Sequence, residues 1–212
     1  MTSLSSSNKE RLTRAVADDD GAAWQPVPAP PPAFVPLIVP GWHDSGRGHW
    51  QSLWSQHLPG ARRVVQDDWI NPSREAWVKT LARNVLETPA PVVIVAHSLG
   101  CIATVHLPPE AACRVHAALL VAPADPERRA HLNDFAPVPC ERLPYRSIVV
   151  ASTNDPYCPS RLAGAYARSW GSEFVRLTEA GHINVESGHG DWPLGLALLQ
   201  SLLPAASSSL AN

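Results

Sequence analysis

The sequence lacks long apolar runs and carries almost no net charge, and both features narrow what the protein can do. Apolar runs such as Pro91 to Ala96 and Ala117 to Pro123 are strand-sized, whereas a membrane helix needs roughly 20 apolar residues. A formal net charge of -2 provides no basic field for a nucleic-acid backbone. We therefore expect binding to neither membranes nor nucleic acids. Residues 1–20 contain no apolar segment followed by a cleavage site, so we expect a cytoplasmic location.

Metal-binding and disulfide patterns are also missing. The chain has only four cysteines, and none of them forms a C-x-x-C pair. This scarcity excludes a disulfide framework, and we expect reduced, mostly buried thiols. His43, His49 and His57 are close in sequence, but no fixed carboxylate or cysteine joins them. We expect packing residues there, and neither a metal nor any other cofactor.

Length and composition favour one compact domain, because the chain has 212 residues, of which 45% are hydrophobic and 17% charged. Residues 1–33 combine a serine run, an acidic triplet and a proline tract without apolar periodicity, which predicts a disordered N-terminal tail. From residue 34 onward, short apolar runs alternate with longer amphipathic ones. We predict a folded domain over residues 34–204 and a flexible C-terminal tail over residues 205–212.

The alternation of apolar runs and amphipathic segments predicts strands joined by crossover helices, in an open, mainly parallel sheet of a three-layer α/β/α sandwich. The predicted strands are Val35 to Val39, Val64 to Val65, Pro91 to Ala96, Ala117 to Val121, Ser147 to Ala151 and Phe174 to Leu177. The predicted helices are His49 to Leu58, one opened by Asn71-Pro72, Leu99 to His106, Ser160 to Trp170 and Pro193 to Leu203.

The segment Ala96-His97-Ser98-Leu99-Gly100 lies at the junction between the most apolar predicted strand and the helix that follows it. A sharp turn there needs small residues on both sides of its apex, and this is the pattern of a nucleophile elbow. Ala96 replaces the usual glycine, and we expect the extra methyl group to fit. The pattern alone leaves open that Ser98 only caps the helix.

A serine hydroxyl becomes nucleophilic only when a base takes its proton, so an acid and a histidine should follow in the order Ser, Asp, His. Asp155 comes directly after the strand Ser147 to Ala151, and His182 comes shortly after the last strand. Taken alone, they would be a turn aspartate and a surface-loop histidine. Their order and their places after strands predict a catalytic triad of Ser98, Asp155 and His182.

The oxyanion of an acyl-transfer intermediate needs two donors, one of them from the loop after the first strand. Pro40-Gly41-Trp42 occupies that loop. We predict that the backbone N–H groups of Trp42 and Leu99 form the oxyanion hole, and that Gly41 permits the close approach. The same loop has two glycines flanking four residues, but Arg47-Gly48 stands where a phosphate loop requires Lys and then Ser or Thr.

Four motifs together resemble the small α/β-hydrolases of the retinoblastoma-binding protein nine and YdeN family. They are P-G-W-H-D-S-G…H-W-Q-S-L-W from Pro40, A-H-S-L-G, N-D-P-Y-C, and G-H-I-N-V-E-S-G-H-G-D-W-P from Gly181. The resemblance covers about residues 34 to 203 and implies a lidless serine hydrolase with weak activity on short acyl esters. It implies catalytic roles for Ser98, Asp155 and His182, and it ranks His189 well behind His182 as the base.

The resulting fold prediction is a minimal α/β-hydrolase with a six-stranded parallel sheet in the order 2-1-3-4-5-6 and no cap domain. Between Pro123 and Pro144 we expect only a loop with one helical turn. We expect the substrate pocket to be lined by Gly41, His43, His97 and Tyr157. Tryptophans near these loops could pack the core or form a hydrophobic acyl pocket; they are Trp42, Trp50, Trp54, Trp69 and Trp192.

The predicted activity is hydrolysis of small carboxylic esters through an acyl-enzyme intermediate. A peptidase or amidase would use the same triad, so the sequence does not separate it from an esterase. A non-catalytic protein that binds a partner through the same surface is a further alternative.

Overall fold

The computed structural model describes residues 34–203, and the predicted tails at 1–33 and 205–212 lie outside the described residues. This part of the chain contains six strands and six α-helices. The strands are β1 (Val35–Val39), β2 (Arg62–Arg63), β3 (Val92–His97), β4 (Val115–Val121), β5 (Arg146–Ser152) and β6 (Glu173–Leu177). The helices are α1 (Trp50–His57), α2 (Arg74–Leu86), α3 (Leu99–Val105), α4 (Pro109–Ala112), α5 (Ser160–Trp170) and α6 (Pro193–Leu202).

The sheet has the order β2-β1-β3-β4-β5-β6 with every neighbouring pair parallel, which confirms the predicted order and fold class. Every side chain of β3 is buried, as expected for a central strand covered on both faces. On one face, α2, α3 and α5 contribute Trp77, Ile102 and Trp170 to a hydrophobic core. On the other face, α1 and α6 contribute Trp50 and Leu199 to a second core.

Two predicted boundaries are wrong because polar contacts override the local sequence signals on which they were based. The second strand is Arg62–Arg63 rather than Val64 to Val65: Val64 is buried just beyond it, and Val65 is exposed. Helix α2 is not opened by Asn71-Pro72, because the Asn71 N–H donates to Asp68 Oδ1 at 2.8 Å in a turn. It begins at Arg74, whose N–H donates to Asp134 Oδ2 at 2.6 Å.

The connection between β4 and β5 has more structure than the single helical turn expected. It contains two 3-10 turns, Pro126–Arg128 and Ala130–Phe135, and the second buries Leu132 and Phe135. The short helix α4 was not predicted. Only two of the four cysteines are buried, Cys101 and Cys158, because Cys113 and Cys140 lie in connecting segments and are exposed. No helix among residues 34–203 is long and apolar enough to cross a membrane.

Candidate active site

Ser98 lies at the apex of a sharp turn between β3 and α3, with φ 53° and ψ -121°. Backbone with positive φ is uncommon outside glycine and signals local strain. The turn is held against the sheet by the Ser98 N–H, which donates to the Val121 carbonyl oxygen at 2.9 Å. Ala96 is fully buried beside it. A Cβ at Gly100 would lie 2.4 Å from the Val39 carbonyl oxygen, so glycine is required where the helix starts.

The structure brings the three predicted triad residues together. His182 Nε2 lies 2.9 Å from Ser98 Oγ, and His182 Nδ1 lies 3.0 Å from Asp155 Oδ1 and 2.9 Å from Oδ2. All three residues are more than nine-tenths buried. Because the carboxylate can only accept, Nδ1 carries the imidazole proton and Nε2 is free to accept the proton of the serine hydroxyl. This arrangement would allow Ser98 to act as a nucleophile, His182 as its base and Asp155 as the residue that orients the base.

Asp155 is fixed by its own loop as well as by the imidazole. Its Oδ1 accepts the Tyr157 N–H at 2.8 Å, which locks the carboxylate toward His182. The Tyr157 ring packs against the His182 ring with centroids 4.3 Å apart, and the Arg129 guanidinium lies 4.5 Å from the Tyr157 centroid. Asp155 and His182 are therefore held in place both by hydrogen bonds and by packing against the Tyr157 ring.

His189, the alternative base, is placed differently. Its Nδ1 lies 3.2 Å from Ser187 Oγ, and its ring packs edge-on toward Trp192. Burial lowers the pKa of His189 below its ordinary value. Among the described residues, the imidazole nitrogen within hydrogen-bond distance of Ser98 Oγ belongs to His182.

The Gly41-Trp42 backbone approaches the elbow as the oxyanion prediction requires. A Cβ at Gly41 would lie 2.7 Å from Ser98 Cβ and 3.3 Å from the Leu99 backbone nitrogen, so only glycine allows this contact. The neighbouring His43 N–H is already bound to the Trp69 carbonyl oxygen at 3.1 Å. Within residues 34–203, neither the Trp42 nor the Leu99 backbone N–H donates to another protein group. Among the described residues, these two N–H groups are therefore without a protein acceptor, as donors of an oxyanion hole should be before substrate binds.

A cavity of about 210 Å³ opens beside Ser98. Of the predicted pocket residues, His43, His97 and Tyr157 line it, whereas Gly41 does not line it and instead approaches Ser98 Cβ. Sequence reasoning missed several other lining residues, which are Asp44, His49, Leu132, Asn184 and Glu186. A larger groove of about 510 Å³ runs between α5 and β6, but its lining contains no histidine, cysteine or carboxylate.

Most of the tryptophans serve packing rather than the pocket. Trp50, Trp54 and Trp192 form one aromatic cluster in the second core, with ring centroids 4.7 to 5.9 Å apart. Trp69 packs edge-on against Trp77. Trp42 alone of the five lines the cavity, and its indole N–H donates to the Ile70 carbonyl oxygen at 2.9 Å.

Two further histidines beside the triad are kept uncharged by burial. Desolvation, assisted by Arg63, lowers the pKa of His49 to about 3, and its Nδ1 caps α1 by accepting the Gln51 N–H at 3.1 Å. Burial likewise holds the pKa of His97 well below its usual value. His97 Nε2 donates to the His182 carbonyl oxygen at 2.9 Å. Within residues 34–203, no group of three or more His, Cys, Asp or Glu side chains is arranged to hold a metal ion.

The fold and the serine elbow define an α/β-hydrolase. Residues 36–201 match the family model described as serine hydrolase, and the chain belongs to that family. A YdeN-like hydrolase of Pectobacterium atrosepticum is 32% identical, with a TM-score of 0.73 over 81% of this chain and 93% of that one. This confirms the resemblance to the YdeN family.

Two more distant structures share the fold. The ydeN gene product of Bacillus subtilis is 22% identical, with a TM-score of 0.68 over 80% of this chain and 97% of that one. Thermogutta terrifontis esterase 2 is 18% identical, with a TM-score of 0.59 over 86% of this chain and 85% of that one. No curated protein matches the chain significantly in sequence.

Proposed function

We propose that this serine hydrolase cleaves small carboxylic esters, with Ser98 as nucleophile, His182 as general base and Asp155 as the residue that orients the base. The observation that carries the proposal is the continuous hydrogen-bond chain from Ser98 Oγ through His182 to Asp155, with both links at 3.0 Å or less. All three residues are buried, and the buried Asp155 carboxylate is compensated by the His182 imidazole.

The proposed reaction proceeds through an acyl-enzyme intermediate. As Ser98 Oγ attacks the ester carbonyl carbon, its proton passes to His182 Nε2 and the carbonyl oxygen becomes an oxyanion. The N–H groups of Trp42 and Leu99 would bind that oxyanion. Asp155 stabilises the imidazolium, which then gives its proton to the leaving alkoxide as the carbon–oxygen bond breaks. A water molecule then gives a proton to the same imidazole as it attacks the acyl carbon. The imidazolium returns a proton to Ser98 Oγ as the bond between the acyl carbon and Oγ breaks, and the carboxylic acid is released.

The size of the cavity supports a small substrate. At about 210 Å³ it is below the roughly 300–1,000 Å³ of ordinary small-molecule pockets, so a short acyl chain fits better than a long one. Ester hydrolysis also has a precedent on this fold in the esterase from Thermogutta terrifontis. An ester is also easier to cleave than an amide. The alkoxide of an ester can leave with little protonation, whereas the amine of an amide must be protonated more fully before it leaves.

The decisive test is active-site labelling combined with turnover. A fluorophosphonate probe should attach to one site per chain, and peptide mass spectrometry should locate it on Ser98. Hydrolysis of p-nitrophenyl acetate should fall to background in Ser98→Ala, which should keep the circular dichroism spectrum of the unchanged protein. Ser201→Ala is a matched control, because this serine is exposed on α6 and its hydroxyl donates to the Leu198 carbonyl oxygen.

The same experiment separates the alternatives. Labelling that persists in Ser98→Ala would show that another group is the nucleophile. Absence of both labelling and turnover would favour a non-catalytic binding protein. Faster cleavage of an anilide than of the matched ester would favour the peptidase or amidase.

A further inference from the structure

The loop that carries His182 has an unusual backbone. Glu179, Gly181 and Ile183 all have positive φ, at 50°, 59° and 50°. Glycine adopts this region readily, but a β-branched residue such as Ile183 does so only under constraint. A loop with this conformation keeps its shape only when surrounding groups hold it. The position of the His182 imidazole therefore depends on contacts made by the rest of the loop.

The contacts come from three consecutive side chains, Ser152, Thr153 and Asn154, which we call the β5 clamp. The clamp binds three consecutive backbone N–H groups of the loop. The bonds run from Glu179 to Thr153 Oγ1 at 2.9 Å, from Ala180 to Ser152 Oγ at 2.8 Å and from Gly181 to Asn154 Oδ1 at 2.7 Å. The residue that follows the clamp is Asp155, so one short segment supplies the acid and grips the loop of the base.

Asn154 is the centre of the clamp. Its Oδ1 accepts two hydrogen bonds, one from the Gly181 N–H and one from the Ser152 hydroxyl at 2.7 Å. Gly181 immediately precedes His182, and a Cβ at this glycine would lie 2.5 Å from Ser187 Cβ. Because the backbone there is confined from two sides, losing the Asn154 bond would free the segment closest to the imidazole.

We propose that Asn154 is a positioning residue for the triad, acting through Gly181 to keep His182 Nδ1 in contact with Asp155. The inference rests on the proposed hydrolase function. Asn154 is itself exposed and outside the hydrophobic core, so its truncation should leave the fold intact. Displacing a catalytic group by about 1 Å can cost on the order of 100-fold in rate. The effect should fall on kcat, because Asn154 does not line the cavity.

The first test compares three variants in p-nitrophenyl acetate hydrolysis. Asn154→Ala should lower kcat by about 10- to 100-fold with KM within about twofold. Asn154→Asp keeps an oxygen that accepts both bonds, so it should recover most of the lost rate. Asn84→Ala is the matched control: it removes an asparagine bound to the Thr80 carbonyl oxygen in α2, far from the site, and should leave kcat unchanged. Equal kcat in Asn154→Ala and Asn84→Ala would overturn the proposal.

A double-mutant cycle distinguishes a positioning role from a purely structural one. It measures whether the rate losses caused by the two substitutions are independent of each other. If Asn154 acts by aligning His182 with Asp155, then Asn154→Ala should cost little in an Asp155→Asn background, where that contact is already weakened. Multiplicative losses in the double variant would contradict the proposal. Should Asn154→Ala fail to fold, Ser152→Ala removes the Ala180 acceptor instead, and unchanged kcat in that variant would count against the clamp.

Failure of the two proposals can be told apart. An unsubstituted chain that neither hydrolyses the ester nor reacts with a fluorophosphonate would refute the proposed function. An active unsubstituted chain with an equally active, folded Asn154→Ala variant would refute only the role of the clamp.

Discussion

We expect the single methyl group added by Gly100→Ala to lower both stability and activity, and the contacts of Gly100 give the reason. A Cβ there would lie 2.4 Å from the Val39 carbonyl oxygen and 2.6 Å from the Pro40 carbonyl oxygen. Both are backbone atoms at the end of β1, so no change of rotamer can relieve the clash. Gly100→Ala must push α3 away from β1 or distort the loop that begins at Pro40.

The expected change in the free energy of unfolding is the difference between two opposing contributions. Overpacking of this kind costs about 1–3 kcal/mol, whereas replacing glycine by alanine in a helix gains up to about 1 kcal/mol. We expect a net loss of about 1–2 kcal/mol, which corresponds to a melting temperature lower by roughly 2–8 °C for a domain of this size. The same shift would move the Leu99 N–H from the nucleophile, and kcat should fall by about 10-fold or more.

Thermal unfolding followed by circular dichroism, together with ester turnover, checks this expectation. Gly164→Ala is the matched control in α5, because the nearest neighbour of its Cβ would be the partly exposed Phe174 ring at 3.4 Å, which can move. The control should be neutral or stabilising by up to about 1 kcal/mol. A Gly100→Ala variant as stable and active as the control would refute the close approach of α3 to β1.

Three further outcomes are expected. His182→Ala should abolish ester turnover as completely as Ser98→Ala, whereas Asp155→Asn should retain more of it, and equal losses in steady-state assays would contradict these roles. Stability should fall as the pH drops below about 6.5, because the unfolded chain protonates His49 there while the folded pKa is about 3. The free energy of unfolding lost through His49 should reach about 2 kcal/mol at pH 5, and the loss should be complete near pH 3. Urea unfolding at pH 7 and pH 5 checks this value. The control is His49→Asn, which keeps a helix cap and should lose less stability between the two pH values. Dialysis against a chelator should leave turnover unchanged, and activity lost on chelation and restored by zinc would reassign His43 and His49 as ligands.

The sequence could predict the central strands and the elbow because their signals are local. A continuous apolar run marks β3, and small residues around Ser98 mark the turn after it. It could not predict β2, which consists of two arginines at the sheet edge. Arg62 donates to Thr88 Oγ1 and Arg63 to Asp44 Oδ1, so polar side chains rather than apolar burial anchor that strand.

The lining of the cavity was harder to predict for a related reason. Leu132 reaches it from a 3-10 turn in the β4–β5 connection, and Asn184 and Glu186 reach it from the loop after His182. None of these segments has a periodic apolar pattern from which its position in the fold could be predicted. The start of α2 depends in the same way on Asp134, which is far away in sequence and adjacent only in the fold.

The meeting of Ser98, Asp155 and His182 could nevertheless be predicted, although these residues are far apart in the chain, and the parallel sheet explains why. The carboxyl ends of parallel strands meet at one edge, so Ser98 after β3, Asp155 after β5 and His182 after β6 converge whatever the lengths of the helices between them. Topology brings the residues to the same edge, but it does not set distances of 2.9 Å. Those distances depend on how each loop is held, so sensitivity to substitution should extend from the three side chains to the contacts that hold the His182 loop.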